Sequence, residues 1–206
     1  MKKWMGVVAS LLMVAGQAQA SLISTTFASN NGQAGNMFDV VNLIGDVTVT
    51  GLDLNLDNGT HTIEVYTKSG SYSGFETTSG AWSLIGSSAV VSSGANVATF
   101  FDVADFVLSG FTTTALYITA NNTVMNYTNG TSVGSVYADN GELQILQGVG
   151  KGYLFDSTFS PRIWNGTIYY QQGTISSEST PAPAPAALML LALGLVGIAS
   201  SRKRVN

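Results

Sequence analysis

The chain has 206 residues, with eight basic and twelve acidic side chains, a formal net charge of −4 and no cysteine. The lack of cysteine excludes zinc fingers, thiol catalysis and disulfide cross-links. Residues 21–180 hold all twelve acidic side chains and three of the basic ones, which gives this stretch a formal net charge of −9. Such an acidic body repels polyanions, so we expect no nucleic-acid partner.

The first twenty residues have the three parts of a secretory signal peptide. Lys2 and Lys3 form the positive start, residues 6–16 form an apolar run, and Ala18-Gln19-Ala20 is a small-x-small cleavage site. We therefore expect a signal helix over residues 1–20, removal by signal peptidase, and a mature chain that begins at Ser21. The apolar run is short for a membrane span, which favours this interpretation over a retained N-terminal anchor.

The body of the chain, residues 21–175, shows hydrophobic alternation with a period of two. The stretch 21–36 is rich in Asn, Ser and Gly, and we expect it to pair late or stay loose. Residues 47–56 alternate apolar and polar side chains and predict a half-buried strand, followed by a turn at 57–59 and a returning strand at 60–67. Residues 68–80 are a polar loop, and further strands are expected at 81–91, 97–101, 107–108, 114–120, 124–127, 132–137, 142–146 and 162–171.

No sustained helical period occurs in the body, and turn signals recur at intervals of roughly 8–12 residues. This pattern predicts an all-β fold, an antiparallel β-sandwich that is jelly-roll-like, in one extracellular domain over residues 21–175.

Three oxygen-bearing side chains alternate along one predicted strand. Asp53, Asn55 and Asp57 are expected on one face, with Leu52, Leu54 and Leu56 on the other. Calcium takes six to eight oxygen ligands, so this face is a candidate calcium site. Further acidic side chains could complete the site through space: Asp102, Asp105, Asp139 and Glu142. A solvated strand face is the alternative.

The body offers no convincing catalytic constellation. In Gly70-Ser71-Tyr72-Ser73-Gly74 a tyrosine occupies the position of the nucleophilic serine, and the single histidine, His61, has no serine partner in the sequence pattern. The glycine-rich run 148–152 lacks the spacing of a phosphate loop and is interpreted as a turn. We therefore expect no catalytic residue and no cofactor other than the candidate calcium.

Aromatic side chains are the other candidates for ligand contact, because their rings can stack on sugar faces. Trp82 and Trp164 lie inside strand patterns and are expected in the core. Tyr72 and Phe75 lie in the 68–80 loop and are expected to form an exposed platform for a glycan.

The C-terminal end of the chain is organised in three parts. A spacer over residues 176–185 contains Pro181, Pro183 and Pro185, which favour an extended segment. Residues 186–201 form a hydrophobic stretch that predicts a transmembrane helix. Residues 202–206 form a basic tail, with Arg202, Lys203 and Arg204, which we expect to stay on the cytoplasmic side.

This arrangement of proline motif, hydrophobic helix and basic cluster resembles the PEP-CTERM sorting signal. The resemblance implies an exported protein of the cell envelope that an exosortase-type enzyme recognises and processes. The Pro-Glu-Pro of that family is here Pro-Ala-Pro, twice over, from Pro181 to Pro185. A simple C-terminal membrane anchor is the alternative.

Together these patterns predict an exported, surface-sorted and non-enzymatic β-sandwich protein of the cell envelope or the extracellular polysaccharide matrix. A carbohydrate-binding module is the first alternative, and it requires exposed aromatic rings along one line or cleft. A glycan-active hydrolase is the second, and it requires two carboxylates that face each other across a groove.

Overall fold

The computed structural model of the chain describes residues 20–173. The chain divides into two compact units, Met1–Thr174 and Ile175–Asn206. The predicted signal helix and the predicted C-terminal helix lie outside the described residues.

The described part of the chain is built almost entirely from short strands, as its Thr-rich alternating stretches favour. A single turn of 3-10 helix lies at Ser79–Ala81. The strands are β1 (Ala20–Ser24), β2 (Asn31–Gln33), β3 (Gly35–Asn42), β4 (Val47–Asn55), β5 (Gly59–Ser69), β6 (Ser83–Ser92), β7 (Ala98–Phe101), β8 (Phe106–Leu108), β9 (Thr113–Ala120), β10 (Met125–Asn129), β11 (Val136–Asp139), β12 (Leu143–Leu146), β13 (Gly148–Lys151), β14 (Thr158–Trp164) and β15 (Gly166–Gln172).

These strands form two antiparallel sheets. The smaller sheet has the order β1-β15-β4-β7, and β8 also pairs with β4. The larger sheet has the order β2-β10-β14-β13-β3-β9-β5-β6, with β12 paired to β3 and β11 to β12. No helix within residues 20–173 has the length and apolar character that a membrane crossing requires.

The main hydrophobic core takes side chains from both sheets. Leu52 and Leu54 of β4 lie in the same cluster as Phe38 of β3 and Ile63 of β5, and all four are fully buried. The ring of Trp164 stacks on Phe38 at a centroid distance of 4.7 Å. Two antiparallel sheets with a shared core fit the predicted sandwich, and the jelly-roll-like connectivity stays a prediction.

A second cluster covers the outer face of the larger sheet. Met37, Ala115, Tyr117 and Val149 come from its strands, while Tyr72, Trp82 and Phe155 come from loops that fold over them. The indole N–H of Trp82 donates to the backbone oxygen of Phe75 at 3.0 Å, which ties the loop to this cluster. The prediction that Trp82 and Trp164 are core residues is confirmed, since both are buried.

Three expectations about the strands are wrong. The stretch 21–36 does not stay loose, because it contains β1, β2 and the start of β3, while the expectation that it pairs late stays a prediction. The run 148–152 is not simply a turn, because Gly148–Lys151 is a strand between β3 and β14. The backbones approach so closely there that a Cβ at Gly148 would lie 2.0 Å from the carbonyl oxygen of Met37.

The third error concerns residues 162–171, which we expected to be one strand. The chain breaks at Asn165, so β14 belongs to the larger sheet and β15 to the smaller one. The two halves of the expected strand therefore belong to two different sheets.

Candidate functional site

The sorting residues cannot be placed in the fold. Pro181, Pro183, Pro185, Arg202, Lys203 and Arg204 all lie outside the described residues.

The two loop aromatics that were candidates for glycan contact have different surroundings. Tyr72 is 2% exposed and packs in the outer cluster, so the expectation that it is an exposed platform is wrong. Burial of its ring raises the pKa of the Tyr72 hydroxyl, which has no hydrogen-bond partner. Phe75 is 40% exposed, and the Lys68 ammonium lies 4.1 Å from its ring centroid. A glycan contact at Phe75 stays a prediction.

Two of the three calcium candidates lie on the predicted face of β4, but the face is not solvated at these two positions, and the half-buried Asp57 follows the end of the strand. Asp53 and Asn55 are buried on the outer side of β4, while Leu52 and Leu54 point into the main core. That part of the alternative interpretation, a solvated strand face, is therefore wrong. The burial comes from loops and strands that are distant in sequence, which the local alternation does not reveal.

Each of the three candidate side chains already accepts a hydrogen bond within the protein through one of its oxygens. Tyr169 donates its hydroxyl to Asp53 at 2.7 Å, and the backbone N–H of Asn96 donates to Asn55, also at 2.7 Å. Asp57 accepts from the amide of Asn126 at 2.9 Å. Calcium binding here stays a prediction that would require these bonds to be exchanged for metal contacts.

The acidic side chains that could have joined the site lie elsewhere. Asp102 and Asp105 are exposed on the loop between β7 and β8. Asp139 accepts the backbone N–H of Gly141, and this bond lowers the pKa of its carboxyl. Glu142 accepts the hydroxyl of Tyr170, and burial together with this bond raises the pKa of Tyr170 to about 12. Within residues 20–173, no three His, Asp or Glu side chains are grouped as metal ligands would be.

Carboxylates in a facing pair would support the hydrolase alternative. One open depression lies at an end of the sandwich and is lined by Ile44, Gly45, Asp46, Gln172 and Gly173. Asp46 is the single carboxylate among these lining residues. His61 is buried with its Nε2 atom 2.9 Å from the carbonyl oxygen of Asp57, so it caps a turn, and neither of its ring nitrogens bonds a serine.

The feature that sequence reasoning missed is an aromatic patch on the outer face of the smaller sheet, formed by Leu22, Gly51, Phe100 and Tyr169. Leu22 pairs with Tyr169, and Tyr169 pairs with Gly51 across β1, β15 and β4. The Phe100 ring lies over Gly51, where a Cβ would come within 2.7 Å of it, and Phe100 is 56% exposed.

The geometry of this aromatic patch is held by contacts beneath it. The Phe100 and Tyr169 rings meet edge to face, with centroids 5.8 Å apart. The hydrogen bond to the Asp53 carboxylate, with burial, raises the pKa of Tyr169 and fixes the orientation of its ring. The only signal of the patch in the sequence is the alternation at 98–101, which sends Phe101 inward and Phe100 outward.

Comparison with known proteins identifies no relative for the body of the chain. No curated protein matches it. The solved structure of the infectious bursal disease virus VP2 subviral particle aligns with 98% of this chain at 12% identity and a TM-score of 0.26. The chain spans about half the length of that viral chain, 54% of it. A superposition this loose carries no inference about the fold of this chain.

The C-terminal end gives a clear result. A match to the PEP-CTERM protein-sorting motif implies an exported protein of the cell envelope that an exosortase-type enzyme processes. The predicted resemblance is confirmed: residues 181–204 of this chain carry the PEP-CTERM protein-sorting motif.

Proposed function

We propose that this chain is a non-enzymatic β-sandwich protein of the cell surface or the extracellular polysaccharide matrix. The signal peptide exports it, and the C-terminal tail holds it in the membrane until the tail is processed. The observation that carries the proposal is the sorting motif at residues 181–204, downstream of a folded β-domain that ends near Gly173. The acidic composition of the body suits a soluble domain outside the cell.

The mass of the mature protein, recovered separately from membranes and from culture supernatant, tests this delivery. We expect loss of residues 1–20 and of everything beyond about residue 181, with the released body outside the membrane fraction. As a matched control, alanine at Arg202, Lys203 and Arg204 should leave the tail uncut, because a neutral end no longer carries the basic cluster of the motif. A mass that still includes residues 202–206, found only in membranes, would show an ordinary C-terminal anchor.

A second candidate function, contact with a neutral glycan, is favoured by the aromatic patch of the smaller sheet. The Phe100 ring lies over Gly51 and is 56% exposed, and an exposed aromatic ring can cover the C–H face of a pyranose. Asp53 pairs with Phe100 across β4 and β7, and its carboxylate is a group that can bond a sugar hydroxyl. Because residues 21–180 carry a net charge of −9, an acidic polysaccharide would be repelled.

Affinity electrophoresis tests this second function. The full chain is run in native gels that contain a soluble neutral β-glucan, and its retardation is measured. We expect Phe100→Ala to weaken the retardation by about tenfold in affinity, since it removes the exposed stacking surface. Phe75→Ala tests the predicted glycan contact in the 68–80 loop. Phe111→Ala is the matched control, because Phe111 is 78% exposed and lies on a different loop. Equal retardation of all four proteins, or stronger retardation by alginate, would exclude a neutral-glycan site at Phe100.

A further inference from the structure

Strand β6 forms one edge of the larger sheet and has a single strand partner in the described chain. It pairs with β5 on one side, and no turn or loop backbone group within residues 20–173 hydrogen bonds to it on the other. The strand is ten residues long, Ser83–Ser92, and its sequence contains no charged residue and no proline. A row of backbone N–H and C=O groups is thus left open along this edge.

Natural proteins protect exposed edges with lysines, prolines, bulges, short strands or covering loops. Here one bulge occurs at Ile85, since Val65 pairs with Gly86 while Tyr66 pairs with Leu84. Ala104 lies beside Gly86, where an added Cβ would be 3.8 Å from the Ala104 Cβ. Both features affect the beginning of β6, so residues 87–91 remain as an open and regular segment.

The side chains of this open segment are complementary to themselves. Ser87, Ala89 and Val91 point to the outer face of the sheet, opposite Glu64, Thr62 and Thr60 of β5, and Val91 is 74% exposed. In an antiparallel pair centred on Ala89, the small Ser87 lies opposite the larger Val91 of the second strand, and Ala89 lies opposite itself. The pairing is isologous, as a two-fold symmetric dimer requires.

We propose that two copies of this chain pair through residues 87–91 of β6, antiparallel and with Ala89 against Ala89. The pairing joins the two larger sheets into one continuous sheet and satisfies the open backbone groups. Charge selects this edge for contact between copies, because residues 21–180 carry a net charge of −9 in each copy and repel those of the other, while the segment itself is uncharged. Asp102 and Asp105 flank Ala104, so added salt strengthens the pairing by screening these carboxylates.

The chain has no cysteine, which allows a single introduced cysteine to report the register. In directly opposed antiparallel residues the Cα atoms lie about 4.5 or 5.5 Å apart, within the range of about 4.4–6.8 Å that a disulfide accepts. We expect Ala89→Cys in the full chain to form a disulfide-linked dimer under mild oxidation. Ser109→Cys is the matched control, because Ser109 is equally exposed but lies on the loop after β8, far along the chain from β6.

A charge at the same position tests the association itself. We expect Ala89→Lys to weaken self-association of the full chain at least roughly tenfold in sedimentation equilibrium, because the two lysines would face each other directly. Ser109→Lys, the control, should leave association unchanged, and both variants should keep the wild-type circular dichroism and melting temperature. The proposal is overturned if Ala89→Cys cross-links no faster than Ser109→Cys, or if association survives Ala89→Lys. It is also overturned if Ala89→Cys cross-links in the host to a different protein instead of to itself.

Discussion

Lys151 is a fully buried amine on the outer side of β13. Its Nζ atom donates to the backbone oxygen of Asp156 and, at 2.7 Å, to the hydroxyl of Thr158. Removal of the ammonium from water lowers the pKa of Lys151, and the nearby charges of Glu76 and Asp156 only partly oppose this effect. The folded protein therefore holds the proton of this amine less tightly than the unfolded chain does.

We predict that Lys151→Met removes a contribution to the free energy of unfolding that increases with pH in the wild type. The folded pKa of Lys151 is below its unfolded value, so the unfolded state binds more protons and the free energy of unfolding of the wild type rises as the pH increases toward about 10. Methionine has no such titration, so the wild type should gain stability relative to Lys151→Met over that interval. Urea unfolding at several pH values measures the free energy of unfolding of the wild type minus that of Lys151→Met. A value that stays constant or falls with increasing pH would contradict the prediction. Tyrosine titrations are common to both proteins and cancel.

Single residues also show which features local sequence can reveal. Alternation along 47–56 correctly predicted that Leu52 and Leu54 face the core, because a strand has a fixed period of two. It could not predict the burial of Asp53 and Asn55, since their partners Tyr169 and Asn96 come from distant parts of the chain. The exposed ring of Phe100 was missed for the same reason, because its position depends on Gly51 in the neighbouring strand.

At the scale of elements, the 70–82 segment acts as a cover for the outer cluster. The Trp82 ring meets Tyr117 edge to face with centroids 6.1 Å apart, and its indole bonds the carbonyl of Phe75 in the same segment. Beside it, the backbone N–H of the buried Tyr72 donates to the Asp39 carboxylate at 3.0 Å. The cover is therefore held at both ends.

We predict that Trp82→Ala loosens this cover and lowers the free energy of unfolding by about 3 kcal/mol, the loss typical of a large core aromatic. Trypsin should then cleave after Lys68 several times faster, since Lys68 donates to the carbonyl oxygens of Ser69 and Ser71 only while the segment is folded back. Peptide mapping of limited digests measures the cleavage rate. Phe111→Ala removes an exposed aromatic from another loop and should match the wild type. An unchanged rate in Trp82→Ala would mean that Trp82 does not hold the cover.

Strands with clear alternation and flanking turns were predicted well. Strands at the point where the chain passes from one sheet to the other were not. β4, β5 and β9 lie where the sequence pattern indicated. The break at Asn165 coincides with an Asn-Gly pair, which is a turn signal. The uninterrupted alternation on both sides of this pair favoured a single strand instead, although β14 and β15 pair with different neighbours. Strand β13 was missed because two of its four residues are glycines, which local rules assign to turns although here they permit the close approach of β3 and of Tyr127.

At the scale of the whole molecule, the sorting signal and the fold class could be derived from the sequence, while the functional features of the surface could not. The sorting signal depends on composition along a short contiguous stretch, so it was recognisable at residues 181–204 without any structure. The two-sheet architecture follows from strand periodicity. The aromatic patch and the open edge of β6 are products of the strand order, which composition and periodicity do not determine.

The pairing of β1 with β15 brings together the first and last strands of the described chain. Ser24 donates its hydroxyl to the carbonyl of Gly166, 142 positions further along, and β15 is the only strand partner of β1 within residues 20–173. A chain that crosses a membrane in order of synthesis thus delivers β1 long before its neighbour, and contacts of such separation form slowly. The smaller sheet can close only after β15 has emerged, so the domain completes its fold no earlier than the arrival of its own C-terminal end.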